Sequence, residues 1–424
     1  MKIENALKEI YGKVYTGKEI KLLYSYDATG QAGEPEWVFF PENEEQVRKT
    51  VEVALEEKMP VIARGAGTGQ SGGSLPVHGG VVMVFTRMKR IEVLERDMVC
   101  VVEPGAITGR IKKEVEKYGL YYPPDPASFE FSTIGGNVAE DAGGPRAVKY
   151  GVTSSFVLGL EWVDGTGKLY RWGGRNIKDV SGYPVHKLLC GSEGTLGIIT
   201  KIYLKLIPLP PERDAVLLRF STPEEAGEAV LEIMRMGISP SSLEYLSEKA
   251  SSLIGLSGNY LMVELEGGEE VEEGIRKIRE RFGGEEAGIW EKRKKLSPLL
   301  YRLAPIKINE DVVLPRSQLP EFLRFLSQLE KESGVHVVAF GHIGDGNLHT
   351  NVMCEKRETG ERVVVRIMEE VVRRGGSISG EHGVGIRKKA FFRLQYGESE
   401  RELMRRIKKV FDPEGILNPG KIWD

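Results

Sequence analysis

Three of the six histidines in this chain lie between residues 342 and 382, in His342-Ile343-Gly344-Asp345-Gly346-Asn347-Leu348-His349 and Gly380-Glu381-His382-Gly383. Imidazole and carboxylate together suit Zn²⁺ or a similar divalent metal. His342, His349 and Glu381 would supply three ligands and leave one coordination position open, the pattern of a catalytic rather than a structural centre. His382, beside the glutamate, is then free to move a proton. Asp345 reads as a turn former within Gly-Asp-Gly-Asn rather than as a ligand. His78, His186 and His336 stand alone and read as structural.

What fills the open position depends on the elements around it, and the glycine-rich half of the chain bears on that. Arg64-Gly65-Ala66-Gly67-Thr68-Gly69-Gln70-Ser71-Gly72-Gly73 follows an apolar run, Val61-Ile62-Ala63, that reads as a buried strand. Gly67 to Gly72 matches G-x-G-x-x-G, but a dinucleotide-binding Rossmann unit needs a helix to open here. Pro76, Gly79 and Gly80 interrupt it, so that reading is disfavoured. Successive glycines still expose backbone N–H groups as an anion nest, and Thr68 and Ser71 add hydroxyls. Further glycine-rich stretches run over 123–144 and 190–199. Together they suggest backbone wrapped closely around a large, flat, phosphorylated ligand.

At 424 residues the chain is too long for one ordinary core. Its formal net charge of −3 implies no nucleic-acid partner. Cys100, Cys190 and Cys354 are far apart, which argues against a disulfide framework or a cysteine-ligated cluster. Met1 to Lys13 is a charged amphipathic stretch without the apolar core of a signal peptide, and no run is apolar enough to span a membrane. The expected location is the cytoplasm, with any membrane contact at most peripheral. Apolar spacing predicts helices over 42–57, 108–118, 223–236, 269–282, 318–332 and 398–411. Strands are expected near 80–85, 91–102, 156–163, 168–172, 194–206, 214–220, 260–266 and 335–342, and residues 123–151 as irregular. Pro208-Leu209-Pro210-Pro211 marks a domain boundary.

With these motifs in place, the chain resembles the FAD-linked oxidases of the vanillyl-alcohol-oxidase type. Within them it is similar to the D-lactate dehydrogenase, glycolate oxidase D-subunit and D-2-hydroxyglutarate dehydrogenase branch. The resemblance runs from Tyr26-Asp27-Ala28 to Asn418-Pro419-Gly420-Lys421. It implies an α+β fold: a two-subdomain FAD-binding domain over 1–211, an α+β cap with an antiparallel sheet over 212–385, and a segment, 386–424, returning to the FAD domain. It implies that FAD is held by Arg64, Gly65, Ala66, Gly67, Thr68, Gly69, Ser71 and Gly72. Pro124, Asp125, Ser128, Thr133, Gly135, Gly136, Asn137, Gly143 and Gly144 would join them, with Glu193, Gly197, Ile199 and Asn418. The first loop has no His or Cys, so the flavin should be non-covalent.

By the same resemblance His342, His349 and Glu381 bind the metal and His382 is the active-site base. Asn351 contacts substrate, and Arg293, from Trp290-Glu291-Lys292-Arg293, holds its carboxylate. Ser297 and, at a looser spacing, Lys307 fall where relatives carry substrate-binding groups. The implied reaction oxidises a D-2-hydroxy acid to a 2-oxo acid, with hydride passing to flavin N5. The metal polarises the hydroxyl and His382 takes its proton. Electrons would pass to an iron–sulfur subunit, another electron-transfer partner, a quinone or oxygen, and a homo-oligomer is compatible. Two other readings stay open: a redox flavoprotein subunit acting on a different substrate, and a zinc hydrolase using the same His-His-Glu set without flavin.

Overall fold

The computed structural model describes residues 2–423 except 13, 14, 16, 287 and 289; Met1 and Lys13, which end the amphipathic N-terminal stretch, lie outside the described residues. The chain divides into two compact units. The first comprises Met1–Gly143, Val152–Leu209 and Glu381–Asp424, and the second Gly144–Gly151 and Pro210–Gly380. Among the described residues no helix is long and apolar enough to cross a membrane.

In the first unit a three-stranded parallel sheet places Val81–Val84 between Trp37–Phe39 and Val61–Arg64. The central Val-Val-Met-Val is wholly buried, as a parallel strand covered on both faces must be. Helix Glu44–Glu56 buries Val47, Val51 and Ala54, and its N-cap Asn43 accepts the Gln46 N–H at 3.0 Å. Each such buried valine contributes about 1.5–3 kcal/mol. The edge of Val61 receives Leu417 as a parallel bridge, so the end of the chain extends this sheet.

A five-stranded antiparallel sheet runs in the order Ile91–Leu94, Val99–Val102, Ile198–Lys205, Val157–Val163, Leu169–Gly173. Its last hairpin turns through Asp164, whose carboxylate accepts the Thr166 and Lys168 N–H groups. The stretch 123–151, expected to be irregular, contains the short helices Ile134–Glu140 and Ala147–Tyr150. Tertiary packing overrides glycine's poor helix propensity there: a Cβ on Gly135 would lie 2.5 Å from the Pro104 ring, so the helix docks where only glycine fits.

The second unit is a seven-stranded sheet ordered Glu285–Glu286, Glu212–Phe220, Asn259–Gly267, Ser242–Leu246, His336–Gly341, Asn347–Cys354, Ile306–Val313, with antiparallel pairing throughout. Helices Pro223–Arg235, Glu270–Phe282, Leu319–Ser333 and Arg357–Arg373 bury apolar faces. Thr222 and Glu225 form a reciprocal capping box at the start of Pro223–Arg235, which has proline in its first turn. The short 144–151 piece is tied to the sheet by charge: Arg146 meets Glu264 at 2.9 Å and Glu266 at 3.5 Å.

Candidate active site

The first unit contains an open cleft of about 1270 Å³. Arg64 to Gly69, Ser128, Thr133, Gly135, Gly136, Asn137, Glu193, Gly197 and Ile199 line it, joined by Glu381 and His382. No helix opens after Val61–Arg64. The loop instead turns at Gly67 and Gly72, whose φ values are +70° and +84°. Arg64 does not simply point at a ligand. It folds under the loop, donates to the Tyr26 carbonyl at 2.6 Å and sits where a Cβ on Gly67 would be 2.3 Å from its Nη2. Burial lowers its pKa. The Ala28 N–H bonds the Gly67 carbonyl at 3.0 Å. Tyr26-Asp27-Ala28 is thus the bed of this loop.

The cleft fits a nucleotide-bearing flavin on two grounds. Ser132 Oγ and Thr133 Oγ1 are buried with no partner in the protein, although buried hydroxyls are rarely left unpaired. A Cβ on Gly65 would lie 2.1 Å from Thr133 Oγ1, so the backbone there is bare by necessity. Behind the cleft, Lys112 Nζ donates to the carbonyls of Tyr122, Pro123 and Pro124 at 2.6, 3.1 and 3.0 Å and sets the path of that segment.

Ser71, Gly72, Pro124, Asp125, Gly143 and Asn418 do not line the cleft. Several support it: the Ser71 carbonyl accepts the Ile386 N–H at 2.9 Å. Asn418 Nδ2 bonds the carbonyls of Gly73 and Glu193, both at 2.7 Å. Gly144 belongs to the second unit.

His382 and Glu381 are partly buried, with His382 Nε2 4.0 Å from Glu381 Oε1. The turn that follows them rests on Glu193. Its two carboxylate oxygens accept the N–H groups of Val384 and Gly385, each at 2.7 Å. Burial pushes the Glu193 carboxyl up to about 7, against the pull of those N–H groups and of Lys421 and Lys388. Glu140, which also lines the cleft, was not found by sequence reasoning. Burial first, then the Glu193 charge, raises its carboxyl well above the usual range.

In the second unit, the hairpin of His336–Gly341 and Asn347–Cys354 brings His342 and His349 together, their rings edge to face at 5.3 Å between centroids. The turn closes at Gly346, φ +90°, and Asp345 Oδ1 accepts the Asn347 N–H at 3.1 Å. Each histidine has a carboxylate behind it. Glu244 accepts from His342 Nδ1, which fixes the tautomer whose Nε2 carries the lone pair a metal takes. Asp311 Oδ1 lies 3.9 Å from His349 Nδ1, and its Oδ2 accepts the Gly380 N–H at 2.8 Å. Burial alone would raise the Glu244 carboxyl, but the charges of His342, Arg293 and His349 hold it down at about 2. This donor set, one imidazole hydrogen-bonded to a carboxylate and a second with a carboxylate nearby, fits a borderline-soft divalent metal.

Arg293 bonds Glu244 through Nε and Nη2 at 3.1 and 3.0 Å, under the Phe340 ring at 4.6 Å. Lys307 Nζ donates to Ser297 Oγ at 2.6 Å. Asn351 is fully buried; its Nδ2 bonds backbone carbonyls and its Oδ1 has no protein partner. Glu244 and Asp311 were not found by sequence reasoning. Both sit in strands, Ser242–Leu246 and Ile306–Val313, that were not foreseen.

Residues 35–173 match the FAD binding domain family, and 209–422 match the C-terminal domain of FAD linked oxidases. This chain belongs to the FAD-linked oxidases. It is 36% identical over 433 residues to the glycolate oxidase subunit GlcD of Bacillus subtilis (strain 168), covering 95% of this chain and 92% of that protein. It is 34% identical over 457 residues to D-lactate dehydrogenase of Anaerostipes hadrus, covering 98% and 96%. A crystal structure of p-cresol methylhydroxylase with substrate bound superimposes with a TM-score of 0.82 at 17% identity, covering 99% of this chain and 96% of that one. That likeness shows the fold, which is of the vanillyl-alcohol-oxidase type. The chain is an FAD-linked oxidoreductase.

Proposed function

We propose that this FAD-linked oxidase oxidises the C2 hydroxyl of a D-2-hydroxy acid, of the glycolate, D-lactate or D-2-hydroxyglutarate kind, to the 2-oxo acid. The observation that carries the reading is that His382 and Glu381 line the same cleft as the Gly65–Gly69 loop and the start of helix Ile134–Glu140. A carboxylate repels phosphate, and an imidazole can exchange a proton near neutral pH, so this pair reads as chemistry for a substrate rather than as part of the phosphate cradle. FAD, when bound, supplies the hydride acceptor. His342, His349 and Glu381 would hold a divalent metal, zinc first, which would supply Lewis acidity. The third ligand is supported by connectivity: Asp311 pins Gly380, and Glu381 follows by one peptide bond, about 3.8 Å between Cα atoms.

The remaining roles belong to side chains of this chain. His382 takes the C2 hydroxyl proton as general base, worth about 10²–10⁴-fold. Glu244 occupies the Nε/Nη2 edge of Arg293, leaving the Nη1/Nη2 edge to grip a carboxylate in a bidentate fork. Asn351 Oδ1 offers an acceptor, and the hydrogen-bonded pair Lys307 and Ser297 adds polar contacts. Electrons leave to an iron–sulfur or other carrier protein; the Bacillus relative is itself named a subunit.

The test is anaerobic bleaching of the visible flavin band by D-lactate, glycolate and D-2-hydroxyglutarate, with and without chelator. Bleaching by at least one acid, slowed by the chelator, is expected; no bleaching by any of them sinks the reading. His382→Ala should keep its FAD and lose reduction.

A further inference from the structure

We propose that Glu193, packed against Glu140, is a positioning residue for His382: it grips the turn carrying the base and fastens that turn to the cofactor loop. This deepens the functional reading above and rests on it. Four features of the first unit support the assignment.

The carboxylate of Glu193 takes two adjacent backbone donors, Val384 N–H on one oxygen and Gly385 N–H on the other, each at 2.7 Å. These are the second and third peptide groups after His382. Such charge-assisted bonds are about twice as strong as neutral ones. The turn itself needs glycine: φ is +77° at Gly383 and +51° at Gly385. A Cβ on Gly383 would come 2.6 Å from Glu140 Oε2 and 2.9 Å from Glu193 Oε1. The two carboxyl groups therefore press on the residue that follows the base.

The same pair reaches the cofactor loop. A Cβ on Gly73 would lie 2.7 Å from Glu140 Oε1 and 3.7 Å from Glu193 Oε2. Glycines from both segments close on one acid pair. The backbone of Glu193 is also strapped in place, by its N–H to the Ala139 carbonyl at 2.8 Å and its carbonyl to Asn418 Nδ2 at 2.7 Å. It holds φ at +51°, which a non-glycine residue keeps only where the surroundings over-determine it. Two carboxyl groups this close do not both ionise readily. Glu140, the more raised of the two, then stays neutral, and Glu193, facing Lys388 and Lys421, remains the acceptor.

The experiment is Glu193→Gln in the flavin-loaded, metal-loaded protein, read three ways. Glutamine presents one acceptor and one donor to two N–H groups. Amide hydrogen exchange in the 381–387 peptide should quicken about 10- to 100-fold, the worth of a lost charge-assisted bond. FAD content should stay as in the wild type. Anaerobic reduction at saturating hydroxy acid should slow by about 100-fold, as for a misplaced base, with the half-saturating concentration little changed.

Unchanged exchange overturns the clamp, and loss of FAD overturns positioning in favour of cofactor binding. Faster exchange with wild-type reduction overturns the link to His382. Should E193Q not fold, E193D keeps the charge with one methylene less reach and should give the same three results. If wild-type protein is reduced by no hydroxy acid, the functional reading has failed, and the exchange result still decides the clamp.

Discussion

Glu244→Gln keeps the shape of a side chain that is 1% exposed and removes its charge. In the second unit this carboxylate accepts from His342 Nδ1 and bonds Arg293 at 3.1 and 3.0 Å. A glutamine can serve one of them with its oxygen and turns an N–H toward the other. The loss can be sized in two ways. Depression of the carboxyl from 4.5 to about 2 corresponds to about 3 kcal/mol at 1.36 kcal/mol per unit. Removing one partner of a buried pair costs ~3–5 kcal/mol. The two agree, and burial leaves little for solvent to screen.

The sign follows from the depressed value: the stabilisation is fully present above pH 4.5 and is lost as pH falls toward about 2. In metal-free protein, urea unfolding at neutral pH should show the variant weaker by about 3 kcal/mol, and the gap should close on acidification below pH 4.5. In metal-loaded protein, competition with a chelator should show zinc held about 10- to 100-fold more weakly, because the His342 tautomer is no longer fixed. Unaltered zinc affinity together with unaltered unfolding would refute the account of Glu244 as the group that orders His342 and Arg293.

Three further outcomes are expected. Gly65→Ala drives a methyl to within 2.1 Å of Thr133 Oγ1, and should purify with little FAD at wild-type secondary structure by circular dichroism. Lys112→Met leaves three carbonyls without their shared donor, at about 1–3 kcal/mol; flavin affinity by fluorescence titration should fall. Asp311→Asn turns an N–H toward that of Gly380 or toward Asn347 Nδ2. It should weaken zinc binding by about 10-fold or more while FAD content holds.

The parts legible in the sequence are those whose residues are contiguous. His342 to His349 is one hairpin turn, and Arg64 to Gly73 is one loop, so their chemistry and spacing appear together on the page. The helices Glu44–Glu56 and Pro223–Arg235 announce themselves by period and cap. Glu244, Asp311, Glu140 and the grip of Glu193 were not legible, for a common reason. No local motif marks any of them, and the role of each comes from a neighbour far away in the chain. Glu244 reaches His342 because Ser242–Leu246 pairs with His336–Gly341, a crossover that no local pattern encodes. The helix Ile134–Glu140 was hidden by its two glycines, which tertiary packing requires and propensity penalises.

Val61 obtains Leu417 as its neighbour, and Asn418 joins the carbonyls of Gly73 and Glu193. Asn418 and Gly73 are 345 positions apart, about 17–70 s of ribosomal synthesis at ~5–20 residues per second. Throughout that interval the nascent cofactor loop lacks its final brace, while most of the second unit, 210–380, is still being synthesised. Flavin capture thus becomes a late event of biogenesis, and a chain terminated before Leu417 should emerge colourless.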